Sequence, residues 1–101
     1  IIGEASPSYL FTHDTAIRNI KNVYGKLYEK LKIIIILRNP VERAYSHFML
    51  HKRGYKEPLD FAKAIDPETI AARRRDNWDI FYDYTGCSLY YEQVKAYTEE
   101  F

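Results

Sequence analysis

The sequence has 101 residues, 47% of them apolar and 29% charged, which fits one small globular domain or part of a larger one. The net charge of +1 excludes the strongly basic footprint of a nucleic-acid-binding domain. A single cysteine excludes an internal disulfide, and the longest apolar run, residues 33–37, is too short to cross a bilayer. The first residues also lack the basic region and apolar stretch of a secretory signal.

The first third of the chain predicts a strand end, a loop and a helix. Residues 1–3, Ile-Ile-Gly, are typical of the end of a strand, and residues 4–9 form the loop that follows. Residues 13–31 place apolar side chains at helical spacing. Gly25 interrupts this pattern at a cost of about 1 kcal/mol relative to alanine, so we expect the helix to be irregular there.

The middle of the chain predicts a buried strand that leads directly into a helix. Residues 33–37 are a continuous run of β-branched and apolar side chains, which is typical of a parallel strand covered on both faces. Asn39 suits the N-cap of the helix, Pro40 suits its first position, and Glu42 completes the spacing of a capping box. We expect this helix to end near Gly54. Its predicted apolar stripe consists of Val41, Ala44, Tyr45 and Phe48, with Met49 as a further candidate.

The remainder of the chain is predicted to be helical. Residues 59–65, residues 67–75 and a segment from about residue 88 onward have helical patterns, whereas the aromatic residues 77–84 fit no single pattern. A buried parallel strand needs neighbouring strands on both sides. The sequence therefore predicts that the chain belongs to a larger α/β domain or pairs with another chain.

The junction between the predicted strand and the capped helix is a candidate anion site, because free N–H groups and the helix dipole favour negative charge there. Arg38 occupies the junction, and its guanidinium can hold a phosphate through two parallel hydrogen bonds. Ser46 lies about 10 Å further along the helix axis, on the same face as Glu42 and Arg43 and away from the apolar stripe. The alternative is that Arg38 pairs with a carboxylate and Ser46 is merely solvated.

Residues 38–48, RNPVERAYSHF, strongly resemble the 3′-phosphate motif of sulfotransferases that use 3′-phosphoadenosine-5′-phosphosulfate (PAPS). Residues 3–10, GEASPSYL, resemble the loop that precedes the long helix in bacterial and glycosaminoglycan-type members. Residues 89–97, LYYEQVKAY, resemble a later helix of the family, so the three motifs occur in the family's order. The resemblance implies that Arg38 and Ser46 bind the 3′-phosphate of the cofactor PAPS and of its desulfated product, PAP.

The resemblance also implies a fold and a reaction. The fold is an α/β, P-loop-kinase-like, three-layer domain with a central parallel sheet, of which residues 1–101 form a mostly helical part with one or two strands. The reaction is in-line transfer of a sulfuryl group from PAPS to a hydroxyl or amine, without a metal. The catalytic residues and the 5′-phosphosulfate lysine are expected upstream of residue 1, and the adenine-covering loop is expected beyond Phe101.

The loop of residues 3–10 is relevant to the identity of the acceptor, the molecule that receives the sulfuryl group. The resemblance places Glu4 and Tyr9 near the reaction centre, where Glu4 could orient an acceptor or a catalytic lysine, or could instead cap backbone N–H groups. Some glycosaminoglycan-type members have an active-site lysine where this chain has Ala5. This difference argues against assigning the acceptor chemistry of those members to this chain. A carbohydrate or small-metabolite acceptor is preferred, and the single cysteine and bacterial-type motifs favour the cytoplasm.

Two rival functions remain on sequence grounds. The first is a non-catalytic nucleotide- or protein-binding module of the same fold, and the second is a nucleotide kinase, which would need a Walker lysine and magnesium ligands.

Three further features have a structural interpretation that we prefer to a functional one. His47 and His51 are spaced to hold zinc but lack a third ligand nearby. The arginines of residues 73–75 suit a solvated helix end better than an anionic acceptor, and Cys87 suits a small buried hydrophobe.

Overall fold

The computed structural model describes residues 3–101 and is 63% helical. Within these residues, α-helices span His13–Tyr24 (α1), Pro40–Arg53 (α2), Phe61–Ala64 (α3), Pro67–Arg75 (α4) and Tyr90–Glu100 (α5), and 3₁₀ helices span Gly25–Lys30, Ile80–Tyr82 and Gly86–Ser88. The described residues contain no strand, so the expected α/β fold with a central parallel sheet is wrong. None of the helices in this part of the chain is long and apolar enough to span a membrane.

The predicted strand at residues 33–37 is an extended segment that no other described backbone pairs with. Ile34 and Ile36 are 86% and 91% exposed, whereas Ile35 packs into a core. An extended segment becomes part of a sheet only when a second backbone bonds its N–H and C=O groups. The apolar composition alone therefore did not produce a strand. The other residues predicted as a strand, 1 and 2, lie outside the described residues.

The start and end of α2 follow its sequence signals. The Asn39 side chain accepts hydrogen bonds from the N–H groups of Val41 and Glu42 at 3.0 and 3.1 Å, and Pro40 fills the first helical position, as predicted. The helix ends at Gly54, also as predicted. The capping box is half formed, because Asn39 caps the helix but the Glu42 side chain makes no return bond.

Local signals also set the limits of α1 and α4. Gly25 has a φ of 51°, which side-chain-bearing residues rarely adopt, and the chain continues beyond it as the 3₁₀ helix Gly25–Lys30. The predicted irregularity at Gly25 is therefore confirmed. At the start of α4, the Asp66 carboxylate accepts from the N–H of Glu68 at 2.9 Å.

The chain forms two compact units. The first comprises the described residues up to Ile36 together with Tyr90–Phe101. In this unit α1 packs against α5, and the buried core consists of Ala16 and Ile17 of α1 and Tyr97 of α5. Partly buried apolar side chains surround that core, namely Leu10, Ile20, Ile35, Ala96 and Phe101.

The second unit comprises Leu37–Leu89 and contains α2, α3 and α4. Its buried core consists of Ala44 and Phe48 of α2, Ala64 of α3, and Tyr84. The predicted apolar stripe of α2 is confirmed at Ala44 and Phe48, whereas Val41, another predicted member, is 72% exposed.

A charged pair is buried in the second unit. Arg73 of α4 is 7% exposed and donates two hydrogen bonds, of 2.7 and 2.6 Å, to the carboxylate of Glu57, which is 3% exposed. The buried hydroxyl of Tyr84 donates to the same carboxylate at 2.6 Å, and the Arg73 guanidinium lies 4.2 Å from the Trp78 ring centre. Burial opposes ionisation of Glu57, but the hydrogen bonds from Arg73 and Tyr84 outweigh it and keep its pKa below the ordinary value.

Replacement of Glu57 by alanine is expected to lower the free energy of unfolding by about 3–5 kcal/mol, because the Arg73 guanidinium would remain buried without its anion. Urea denaturation followed by circular dichroism measures this change. Glu68→Ala, which removes an exposed glutamate of the same unit, is the control and is expected to cost less than about 1 kcal/mol. Equal losses in the two variants would contradict a stabilising role for the buried pair.

Candidate functional site

Arg38 and Ser46, which together we call the candidate phosphate clamp, both lie in the second unit. Arg38 immediately precedes the N-cap of α2, and Ser46 lies within that helix. Both side chains are exposed, and neither makes a hydrogen bond or ion pair with any described residue. The alternative role of Arg38, pairing with a carboxylate of this chain, therefore has no support among the described residues.

The backbone at the start of α2 offers fewer donors than the sequence suggested. Pro40 has no N–H, and the N–H groups of Val41 and Glu42 are both occupied by the Asn39 side chain. The N–H of Arg43 donates to the Asn39 carbonyl at 2.9 Å. The expectation of free N–H groups at this helix end is therefore wrong, because the residues that cap the helix also use its donors. Only the helix dipole and nearby side chains remain to attract an anion.

Arg43 lies on α2 between the two clamp residues in sequence. One nitrogen of its guanidinium, Nη1, is 3.2 Å from Nδ1 of His47 and 3.5 Å from Oγ of Ser88. Because arginine has no acceptor, Nδ1 of His47 must accept, and Nε2 carries the proton of the neutral ring. Burial, reinforced by the positive charge of Arg43, lowers the pKa of His47 to about 4.

His51, one turn further along α2, is held by a different partner. Its Nδ1 lies 2.9 Å from the hydroxyl of Tyr84, whose proton is donated to Glu57. Nδ1 of His51 must therefore donate to the Tyr84 oxygen. Burial is the main cause that lowers the pKa of His51. Both Nδ1 atoms of the predicted histidine pair are thus engaged in the unit, and the described residues contain no cluster of three metal-ligating side chains.

Two other sequence features have structural partners. Arg73 and Arg74 pair with Glu57 and Asp83, so the expectation of a solvated arginine run is wrong at Arg73, which is buried. The sequence carried no signal for these pairs, because each partner lies outside the helix that bears its arginine. Cys87 is buried, as expected, and burial raises the pKa of its thiol to about 11.

The structure brings together the two loop residues that the resemblance singled out. The Tyr9 hydroxyl donates to the carboxylate of Glu4, and this hydrogen bond raises the pKa of Tyr9. The backbone carbonyl of Tyr9 accepts from the buried hydroxyl of Tyr97 at 2.7 Å. Helix α5 therefore anchors the Glu4–Tyr9 loop within the first unit.

The first unit also has a shallow groove of about 390 Å³ beside α1 and α5. The groove is lined by both signs of charge, including the ion pair between Lys21 and Glu100. Because charges of both signs line the groove, it has no preference for an anion. Arg38 at the start of α2 differs, because its positive charge has no partner among the described residues.

No family model, curated protein or solved structure matches this chain. The interpretation of function therefore depends on the motif of residues 38–48 and on the side chains that it exposes.

Acidification from about pH 6.5 to pH 4 is expected to destabilise the second unit, because unfolded His47 takes up a proton with a pKa near 6.5 and folded His47 only near 4. The unfolded state binds more protons across this window, so stability rises with pH. His47→Asn, which keeps an acceptor near the position of Nδ1, should show a smaller loss. The urea concentration at the midpoint of unfolding, measured for both proteins across this pH range, tests the difference. Identical pH profiles for the wild type and His47→Asn would exclude the proposed titration of His47.

Replacement of Glu4 by glutamine is expected to lower the pKa of Tyr9 towards 10.0, because a neutral amide replaces the carboxylate that favours the protonated phenol. NMR titration of the chain with ¹³C-labelled tyrosine rings measures this pKa. Glu29→Gln, at an exposed position of the same unit, should leave Tyr9 unchanged. An unaltered Tyr9 titration in Glu4→Gln would show that the two side chains do not pair in solution.

Proposed function

We propose that this chain supplies the 3′-phosphate-binding part of a sulfotransferase that uses PAPS. The observation that carries the proposal is the motif RNPVERAYSHF, in which Arg38 and Ser46 are exposed and have no partner among the described residues. A guanidinium can give a phosphate two charge-assisted hydrogen bonds, and a serine hydroxyl can add a third. The motif and the availability of both side chains support the same ligand.

The binding chemistry in this proposal belongs to side chains rather than to the helix backbone. Asn39 occupies the donors at the start of α2, so Arg38 and Ser46 provide the hydrogen bonds to the phosphate. The positive end of the helix dipole adds a smaller attraction, worth roughly 0.3–1 kcal/mol at an exposed site. Recognition of the 3′-phosphate would distinguish PAPS and PAP from adenine nucleotides that lack it.

In the proposed reaction, an acceptor oxygen or nitrogen attacks the sulfur of PAPS, and the bond from sulfur to the 5′-phosphate oxygen of PAP breaks. The acceptor proton goes to a base, and PAP leaves as the product. The role of Arg38 and Ser46 is to hold the nucleotide in a fixed position for this step. The resemblance of residues 3–10 to bacterial and carbohydrate-type members supports a carbohydrate or another small metabolite as the acceptor.

Replacement of Arg38 by alanine is expected to weaken PAP binding by at least about 2 kcal/mol, roughly 30-fold in Kd, because the phosphate loses its charged partner. Ser46→Ala should cost about 1 kcal/mol, roughly fivefold. Arg53→Ala, at an exposed arginine in the last turn of α2, is the matched control. Isothermal titration calorimetry with the intact protein measures the affinities, and 5′-AMP, which lacks the 3′-phosphate, should bind all variants alike.

Two results would change the proposal. An unchanged PAP affinity in Arg38→Ala would remove the assignment of this arginine. PAP binding without transfer of ³⁵S from labelled PAPS to carbohydrate or small hydroxylated acceptors would support the non-catalytic nucleotide-binding module instead.

A further inference from the structure

Arg43 differs from every other cation in the described part of the chain. Of the lysines and arginines in residues 3–101, only Lys21, Arg43 and Arg73 are buried or half-buried. Lys21 pairs with Glu100 and Arg73 pairs with Glu57, but Arg43 forms no ion pair with any described residue. A partly buried positive charge without an anion is unfavourable, so its surroundings point to an anion supplied by a ligand.

The contacts of Arg43 do not use all of its donors. Nη1 bonds to His47 and Ser88, and the guanidinium also makes a hydrogen bond with the Cys87 thiol. A guanidinium has five N–H donors, so these three contacts leave at least two of them. Two N–H donors of a planar guanidinium can bind two oxygens of a phosphate.

The groups that hydrogen-bond Arg43 are electrically neutral, and the carboxylates of Asp79 and Asp83, which act on His47 and Cys87 from further away, form no ion pair with it. Burial raises the pKa of the Cys87 thiol to about 11, although Arg43 opposes the shift, and the pKa of His47 is about 4. Ser88, the third neighbour, does not ionise. At neutral pH the charge of Arg43 is therefore not compensated by the groups that hold it.

Arg43 is also close to the proposed clamp. Ser46 follows it by three residues in α2, and residues at this spacing are neighbours on one helix face, with Cβ atoms about 5–6 Å apart. An anion bound to the Ser46 hydroxyl would consequently lie within reach of the long Arg43 side chain.

We propose that Arg43 is a third member of the anion site and that, with Arg38, it makes the site selective for a phosphate monoester. This inference rests on the proposed function. A phosphate monoester carries close to two negative charges at neutral pH, which two guanidiniums match, whereas a phosphodiester carries one. The ligand class is therefore a nucleotide with a terminal 3′-phosphate rather than a cyclic or diester form.

The proposal is tested by calorimetry on the intact protein with PAP, 3′,5′-cyclic AMP and 5′-AMP as probes. Arg43→Gln is expected to raise the Kd for PAP about tenfold or more while leaving the weaker binding of the other two unchanged. Arg43→Lys, which keeps the charge but loses the planar set of N–H donors, should lie between wild type and Arg43→Gln. Arg53→Gln is the matched control.

The titration of His47 gives a readout that does not depend on the variants being folded. Burial, Arg43, His51 and Asp79 all act on its pKa, and Arg43 lowers it. Addition of PAP to the wild-type protein should therefore raise the pKa of His47, because the bound phosphate offsets the charge of Arg43. NMR titration of the histidine rings measures this shift, and inorganic sulfate at the same ionic strength controls for salt.

The possible failures are distinguishable. If Arg38→Ala weakens PAP binding but Arg43→Gln does not, or if PAP leaves the pKa of His47 unchanged, the role of Arg43 is overturned and the proposed function stands. If the wild-type protein does not bind PAP, the proposed function fails and the role of Arg43 fails with it.

Discussion

The organisation of the second unit depends on one buried carboxylate, that of Glu57. Arg73 reaches it from α4, and the Tyr84 hydroxyl reaches it from the segment that follows. His51 of α2 bonds in turn to Tyr84. A buried charge is tolerated only when hydrogen bonds and a counter-charge satisfy it, so this arrangement constrains α2, α4 and the Tyr84 segment together.

This constraint matters for function because α2 carries the proposed ligand side chains. Ala44 and Phe48 turn one face of α2 into the core, and the contact between His51 and Tyr84 limits rotation of the helix about its axis. Ser46 therefore remains on the exposed face, and Arg43 stays at the border between core and solvent. The residues that stabilise α2 and the residues proposed to bind the phosphate are thus largely separate sets.

The sequence predicted features that depend on neighbours along the chain and missed those that depend on distant ones. Asn39 and Gly54 define α2 correctly because capping is decided within one turn. The strand at residues 33–37 was wrong because a strand requires a second backbone, and the described residues provide none. The pair of Glu57 and Arg73 was missed because only tertiary packing brings its members together. Arg38 and Ser46 could be proposed from a local motif, but the loss of free N–H groups to Asn39 required the structure.

The exposed isoleucines of the extended segment have a consequence for the colloidal behaviour of the chain. Ile34 and Ile36 lie almost fully in solvent on a backbone without hydrogen-bonded neighbours in the described structure, which is the usual template for edge-to-edge self-association. Charged residues at the borders of such a run oppose stacking of identical chains, and here Lys32 and Arg38 occupy both borders. We therefore expect the charge of Arg38 to oppose self-association in addition to its proposed contact with phosphate, so that loss of Arg38 would affect solubility as well as ligand affinity.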